Sequence, residues 1–294
     1  MVSNRSDIIV ICGPTATGKS EVANELAYMI GGEVLSADSM QIYKGMDIGT
    51  GKFLDHKVKH WGIDIVDPNV EYSAALYQEY ARDVLDNAKC PIVICGGTGF
   101  YIRAAIDDYN FPKGEQTKSK YTNMDKDELW ELLKDKDESS THVIHKNNTV
   151  RVIRALEMAD QGLSYADQLE NYKNIKQLYP TEFYGIKVDR DTLNERIDVR
   201  VDKMLKEGLV DEVKGLLDSG YRDALTAASA IGYKEIVEYL DNKISLDEAI
   251  SKIKVATHRY AKRQRTWFNK DKRINWIDYD KVQSLYRKFD THQQ

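Results

Sequence analysis

The chain has 294 residues, 42% of them hydrophobic and 30% charged, with a net charge of −5. Such a composition supports a sizeable buried core in one large or two ordinary domains, and it excludes a disordered or fibrous chain. No apolar stretch reaches the roughly 20 residues needed to cross a bilayer, and residues 1–6 run straight into the first strand without room for a signal sequence, so a cytoplasmic protein is expected.

The first predicted element is the apolar run Ile8–Cys12, a strand, followed at once by GPTATGKS at residues 13–20. This is a complete phosphate-binding loop in the order such loops require: strand, glycine-rich turn, helix. Gly13 and Gly18 let the backbone turn tightly enough to aim N–H groups of the loop, from Thr15, Ala16 and Thr17 among others, at phosphate oxygens. Lys19 adds a point charge and Ser20 a hydroxyl suited to Mg²⁺, while the helix predicted over 20–30 turns its positive end to the same anion.

Apolar runs rich in β-branched residues at Glu33–Ser36, 63–66 and 91–95 read as further strands, with a helix over 73–88 between the last two. From 112 to 147 the composition turns polar and carries one predicted helix, 125–134. A strand at 183–188 then leads into helices over 192–207, 212–217, 230–240 and 245–268, and a last strand at 274–277. The alternation predicts an α/β fold: a P-loop NTPase-like parallel sheet flanked by helices, with a small helical insertion. The core is expected at 1–111 and 148–294 and the shortened insertion at 112–147. With five prolines there is no flexible linker, and no repeat is present. Cys12, Cys90 and Cys95 form no CxxC or Cys/His cluster and read as structural thiols rather than a zinc site.

Four further groups of residues suit chemistry. Asp38 follows the second strand and therefore stands at the sheet edge where ligands of parallel sheets bind; it can serve as a magnesium ligand, a general base or the N-cap of a turn. The fourth strand ends in a second glycine-rich turn whose Thr98 offers a hydroxyl and an N–H to phosphate, or is simply a strand-to-helix connection. Arg196 and Arg200, four residues apart, share one helix face that either closes on a pyrophosphate or forms a surface ladder with Glu195, Asp198 and Asp202. Between Lys252 and Arg273 nine Lys and Arg residues and His258 face only Asp271, with Tyr260, Trp267 and Phe268 interleaved. Arg259, Lys262, Arg263 and Thr266 form a stripe there that suits RNA backbone contacts better than a bare solvated face does.

Taken together, GPTATGKS, SADSMQIYKGMDIGTGK (36–52), IDIVDP (63–68), GGTGFYI (96–102), RVIRALE (151–157), ERIDVRVDKMLKEGLVDEV (195–213), AIGYKE (230–235) and RYAKRQRTWF (259–268) closely resemble the tRNA dimethylallyltransferases, in family order along nearly the whole chain. The resemblance implies transfer of a dimethylallyl group from dimethylallyl diphosphate to N6 of the adenosine just 3′ of the anticodon, with pyrophosphate released. It implies Asp38 and Thr98 as catalytic residues and a diphosphate site of Gly13, Thr15, Ala16, Thr17, Gly18, Lys19, Ser20, Arg196 and Arg200. Mg²⁺ would sit on Ser20. The anticodon stem-loop of tRNA would meet Asp38, Ser39, Met40, Gln41, Thr98, Arg151, Arg154, Arg259, Lys262, Arg263 and Arg265, the target base being extruded from its stack. A monomer is expected, and no membrane partner.

The chain departs from the family pattern in a shorter segment between Ile102 and Ile144, which is expected to lack one helix, and in Val150 where Gln is usual. His145-Lys146-Asn147-Asn148 also lacks the usual proline, and no zinc finger follows the last strand, which suggests a bacterial-type enzyme. Three rival readings remain: an adenylate isopentenyltransferase acting on a free nucleotide, a small-molecule kinase, and a noncatalytic RNA-binding protein. The basic helix favours a polymer acceptor over the first. DSMQ followed by GGTGFY disfavours the second, and intact Lys19, Ser20, Asp38 and Thr98 disfavour the third.

Overall fold

The computed structural model describes residues 8–53, 57–111, 119–172, 175–227 and 230–290. They fall into two units, one within Met1–Ile106 and Tyr179–Gln294, the other Asp107–Leu178. The first unit opens with β1 (Ile8–Cys12), α1 (Lys19–Met29), β2 (Glu33–Ser36), β3 (His60–Trp61), α2 (Ala74–Asn87), β4 (Ile92–Gly96) and α3 (Gly99–Ile106). The second unit supplies α4 (Lys126–Lys136), α5 (Glu138–Thr141), α6 (Thr149–Asp160) and α7 (Tyr165–Asn171). The chain then returns through β5 (Thr181–Lys187), α8 (Arg190–Lys206), α9 (Leu209–Asp218), α10 (Arg222–Thr226), α11 (Tyr233–Leu240), α12 (Leu246–Phe268), β6 (Asn275–Asp278) and α13 (Val282–Phe289).

The six strands form one parallel sheet in the order β3-β2-β4-β1-β5-β6. β1 lies inside it, and its five consecutive apolar residues are all buried because both faces are covered. Ile8, Val10 and Cys12 pack with Tyr77 and Ala81 of α2 and Ile102 and Ala105 of α3. Ile9 and Ile11 point the other way, onto Val22 and Leu26 of α1 and Val282 and Leu285 of α13. The register pairs Cys12 with Gly96 and Ser36 with Cys95, which brings the exits of β1, β2 and β4 level. The loops after these strands therefore meet at one sheet edge. A third apolar cluster joins Val201 and Met204 of α8, Val213 of α9, Ile236 of α11 and Ile253 of α12 to Met46.

Local signals explain most helix starts. Ser73 caps α2 by accepting from the Leu76 N–H, and Ser245 with Glu248 makes a capping box at the start of α12. The strand expected at 63–66 is instead two residues long and earlier, at His60–Trp61, which pair with Val34 and Leu35. Asp64 adopts φ 55°, and Ile65 and Val66 both donate to the Ile42 carbonyl, so the run hugs the loop after β2 and leaves only an isolated bridge between Tyr43 and Val66.

The second unit is larger than the expected insertion at 112–147. Val152, Ala155 and Leu156 of α6 close on Leu129 and Leu133 of α4 and on Ile144, so α6, expected in the core segment starting at 148, shares its apolar face with the insertion. Asp137 ties the unit's short helices by accepting from the hydroxyls of Ser139, Ser140 and Ser164 and from the Tyr165 N–H. Burial opposes that charge, yet these hydrogen bonds hold its carboxyl below the usual range. Residues 112–118 of the expected insertion lie outside the described residues. Among the described residues no helix is long and apolar enough to cross a membrane. Cys12 and Cys95 are buried free thiols, and burial pushes Cys95 up to about 11.

Candidate active site

The loop between β1 and α1 closes on itself, with the buried Thr17 hydroxyl donating to the Pro14 carbonyl at 2.9 Å. Gly18 begins α1 at φ 84°, and a Cβ there would lie 2.4 Å from the Tyr279 ring, so both the backbone angle and the space require glycine. Lys19 and Ser20 open the helix and line a cavity of about 250 Å³. Burial pushes the Lys19 ammonium down, and Asp38 is among the groups that pull it back. Thr15 also lines the cavity, but its N–H is engaged elsewhere, donating to Gln264 Oε1 at 2.8 Å.

Thr98 reaches the loop that carries Asp38. The Met40 N–H donates to Asp38 Oδ1 at 3.0 Å, and the Ser39 N–H donates to Thr98 Oγ1 at 3.2 Å. The Thr98 N–H in turn donates to the Ala37 carbonyl at 3.1 Å. Asp38, Ser39, Met40 and Gln41 all line the cavity. Gln41 is largely committed within its own loop, because Oε1 accepts from the Ser36 hydroxyl at 2.9 Å and Nε2 reaches the Thr50 and Gly51 carbonyls at 3.5 and 3.4 Å.

The two arginines of α8 part company. Arg200 lines the cavity and donates to the Thr50 carbonyl at 3.3 Å; burial lowers its pKa while Asp38 raises it. Arg196 instead stacks its guanidinium 4.4 Å from the Tyr279 ring centroid, on the ring that covers Gly18. Asp198 and Asp202 face α12, where they pair with His258 at 2.9 Å and Lys254 at 2.8 Å, so they do not form the ladder with Arg196 and Arg200 that the spacing allows.

A surface loop completes one wall through Gly49, Thr50 and Gly51. Glu212 holds it, its carboxylate accepting from the N–H groups of Asp47, Ile48 and Gly49 at 3.0, 2.7 and 3.2 Å and from the Tyr233 hydroxyl at 2.7 Å. Lys52 latches the same loop through Tyr43 O at 2.7 Å, Asp47 at 2.6 Å and Asp64 at 2.5 Å.

Helix α12 contributes further lining residues. Tyr260, Arg263 and Gln264 line the cavity, and burial raises the Tyr260 phenol, with Asp38 adding to the rise and hydrogen bonds to Thr98 and Gln264 opposing it. Arg259, Lys262, Arg263 and Arg265 are exposed, and among the described residues Arg259, Lys262 and Arg265 form no ion pair. Lys252 and Lys254 are paired with Glu238 and Asp202, and Arg273 with Asp271, which shortens the basic run read from sequence. Arg151 and Arg154 are exposed on α6 of the second unit, Arg154 pairing with Glu157 at 3.5 Å. Sequence reasoning missed Tyr260, Gln264, Glu212, Tyr233 and Tyr279 as site residues. For Tyr260 and Gln264 one signal was available: they stand four apart, on one face of the helix.

Among the described residues no three His, Cys, Asp or Glu side chains gather into a metal cluster. A magnesium ion at Ser20 would therefore take most of its ligands from water and phosphate oxygens, which is how this ion commonly binds.

Comparison with known proteins identifies the family. The IPP transferase family model matches residues 41–271, and an isopentenyl transferase model matches residues 6–62. The chain is 45% identical to the tRNA dimethylallyltransferase of Carboxydothermus hydrogenoformans, with 93% of this chain and 92% of that protein covered. It is 40% identical to that of Bacillus mycoides, over 93% and 90%. The crystal structure of tRNA delta(2)-isopentenylpyrophosphate transferase from Staphylococcus epidermidis superposes with a TM-score of 0.70 at 33% identity, covering 98% of each chain. A eukaryotic dimethylallyltransferase acting on tRNA superposes with a TM-score of 0.77 at 26% identity, over 93% of this chain and 74% of that one. With a phosphate loop and Asp38 on one cavity, Thr98 bonded to the neighbouring Ser39, and relatives matched along nearly its full length, the chain belongs to the tRNA dimethylallyltransferase family.

Proposed function

We propose that the protein transfers a dimethylallyl group from dimethylallyl diphosphate to N6 of the adenosine 3′-adjacent to the anticodon. The observation that carries this reading is the meeting of Asp38 with Lys19, Ser20 and Arg200 around one cavity, with Thr98 bonded to Ser39 beside Asp38. An exocyclic adenine amine is a weak nucleophile, so the leaving group must be stabilised and a base must stand at the nitrogen. Nitrogen N6 forms a bond to the allylic carbon as the carbon–oxygen bond breaks, and its electron pair leaves with pyrophosphate. The N6 proton passes to the Asp38 carboxylate, a positioned base of the kind that contributes about 10²–10⁴-fold. Lys19, Arg200 and the loop N–H groups stabilise the charge developing on pyrophosphate, usually the larger electrostatic contribution. Thr98 steadies the diphosphate beside Asp38, and Arg196 adds positive charge behind Gly18. Mg²⁺ held by Ser20 supplies further neutralisation of the diphosphate when bound.

The adenosine belongs to the anticodon stem-loop of a tRNA, whose backbone meets the exposed Arg259, Lys262, Arg263 and Arg265, with Arg151 and Arg154 contributing from the second unit. The extruded base lies against the segment from Asp38 to Gln41. The protein works as a cytoplasmic monomer. Incubation with Mg²⁺, dimethylallyl diphosphate and either unmodified tRNA or AMP, followed by mass spectrometry of the nucleosides, tests the reading. Prenylated adenosine from tRNA alone is expected; prenylated AMP would overturn the polymer acceptor, and no product from either would overturn the reaction.

A further inference from the structure

Gln264 is 5% exposed and stands 249 residues from Thr15 and 167 from Gly97, yet its carboxamide joins the loops that contain them. Oε1 accepts from the Thr15 N–H at 2.8 Å, and Nε2 donates to the Gly97 carbonyl at 2.9 Å. On the far side, the turn is held to the exit of β2 by Thr98, through the Ala37 carbonyl and the Ser39 N–H. The fit leaves no spare room, since a Cβ on Gly97 would lie 2.1 Å from Gln264 Nε2. The contact needs one acceptor and one donor on a single planar group of this length, which the carboxamide supplies. A carboxylate at the same place only accepts and would face the Gly97 carbonyl with negative charge; an aliphatic side chain does neither and leaves the Thr15 N–H and the Gly97 carbonyl without these partners.

We infer that Gln264 is a positioning residue for the transfer, its amide setting the spacing between the phosphate loop and the turn at 96–99 so that Lys19 and Thr98 act on the same diphosphate. The inference rests on the diphosphate reading of the cavity given above. In Gln264→Leu the Kd for pyrophosphate rises about tenfold or more and single-turnover prenyl transfer slows about 10–100-fold, while tRNA affinity stays within about twofold because the exposed cations of α12 are untouched. Gln264→Glu separates positioning from general loosening. Its carboxyl restores the donor and acceptor pair only when protonated, and burial raises that pKa, so pyrophosphate affinity and rate recover relative to the unmodified protein as pH falls from about 8 to about 6. Mere loosening of the fold lowers the melting temperature and does not return with protonation. Pyrophosphate affinity unchanged in Gln264→Leu, or a Gln264→Glu pH profile parallel to that of the unmodified protein, overturns the inference. Because pyrophosphate affinity is read without any prenyl transfer, an unmodified protein that binds pyrophosphate but prenylates no tRNA refutes the proposed function and leaves this test standing.

Discussion

Asp38 shares its cavity with two cations whose pKa values are lowered by burial, and it is the nearby carboxylate that opposes both shifts. Its removal takes away the proposed proton acceptor without touching the exposed basic residues that would hold RNA. Asp38→Ala is accordingly expected to lower kcat by about two to four orders of magnitude with tRNA affinity nearly intact; turnover at the original rate would remove Asp38 from the mechanism. The two arginines of α8 give a paired test, because only Arg200 lines the cavity. Arg200→Ala should weaken pyrophosphate binding by about 10–100-fold, the loss of a charge-assisted contact, whereas Arg196→Ala removes a stacked guanidinium on Tyr279 and should cost about fivefold or less. Calorimetric titration of both variants with pyrophosphate distinguishes them, and equal losses would place Arg196 on the anion as well.

At the scale of elements, the loop at 43–52 is held from outside itself. Glu212 of α9 collects three of its backbone N–H groups together with the Tyr233 hydroxyl, so an amide at this position turns one acceptor into a donor facing donors. Glu212→Gln is expected to destabilise the fold by about 1–3 kcal/mol, read from denaturant unfolding, and to raise KM because Gly49, Thr50 and Gly51 line the cavity. Unfolding at the same denaturant midpoint would show that Lys52 alone anchors the loop. None of this was visible in the local pattern. The backbone N–H partners of Glu212 lie 163 to 165 residues away, and a glutamate on a charged helix face ordinarily reads as solvated. The same limit applies to α6: its amphipathic stripe is clear in the sequence, but the stripe does not name Leu129 and Leu133 as the residues that cover it.

Across the whole molecule, a net charge of −5 coexists with one basic helix face, so the proposed tRNA contact depends on where the cations stand rather than on their sum. Lys254 spends its charge on Asp202, while Arg259, Lys262 and Arg265 carry theirs unpaired among the described residues. Substituting any of these three with Ala should reduce the slope of log Kobs against log salt concentration by about 0.7–0.9. Lys254→Ala should leave that slope unchanged. A slope that responds to Lys254 and not to the other three would move the RNA-facing surface off this face.

The features decided by the sequence alone are those whose physics is local or repeated at short range. A phosphate loop works through glycines and N–H groups within eight residues, so GPTATGKS is legible as such a loop without any distant residue. Strand and helix alternation with continuous apolar strands implied a parallel sheet covered on both faces, and such a sheet places Asp38 and Thr98 at the same edge as the loop. Tertiary structure decided which of two arginines on one helix face enters the cavity, which glutamate anchors its wall, and that Gln264 joins the phosphate loop to the turn before Thr98. These outcomes depend on distances between residues far apart in the chain, and side-chain type and spacing along one helix leave those distances open until the helices pack.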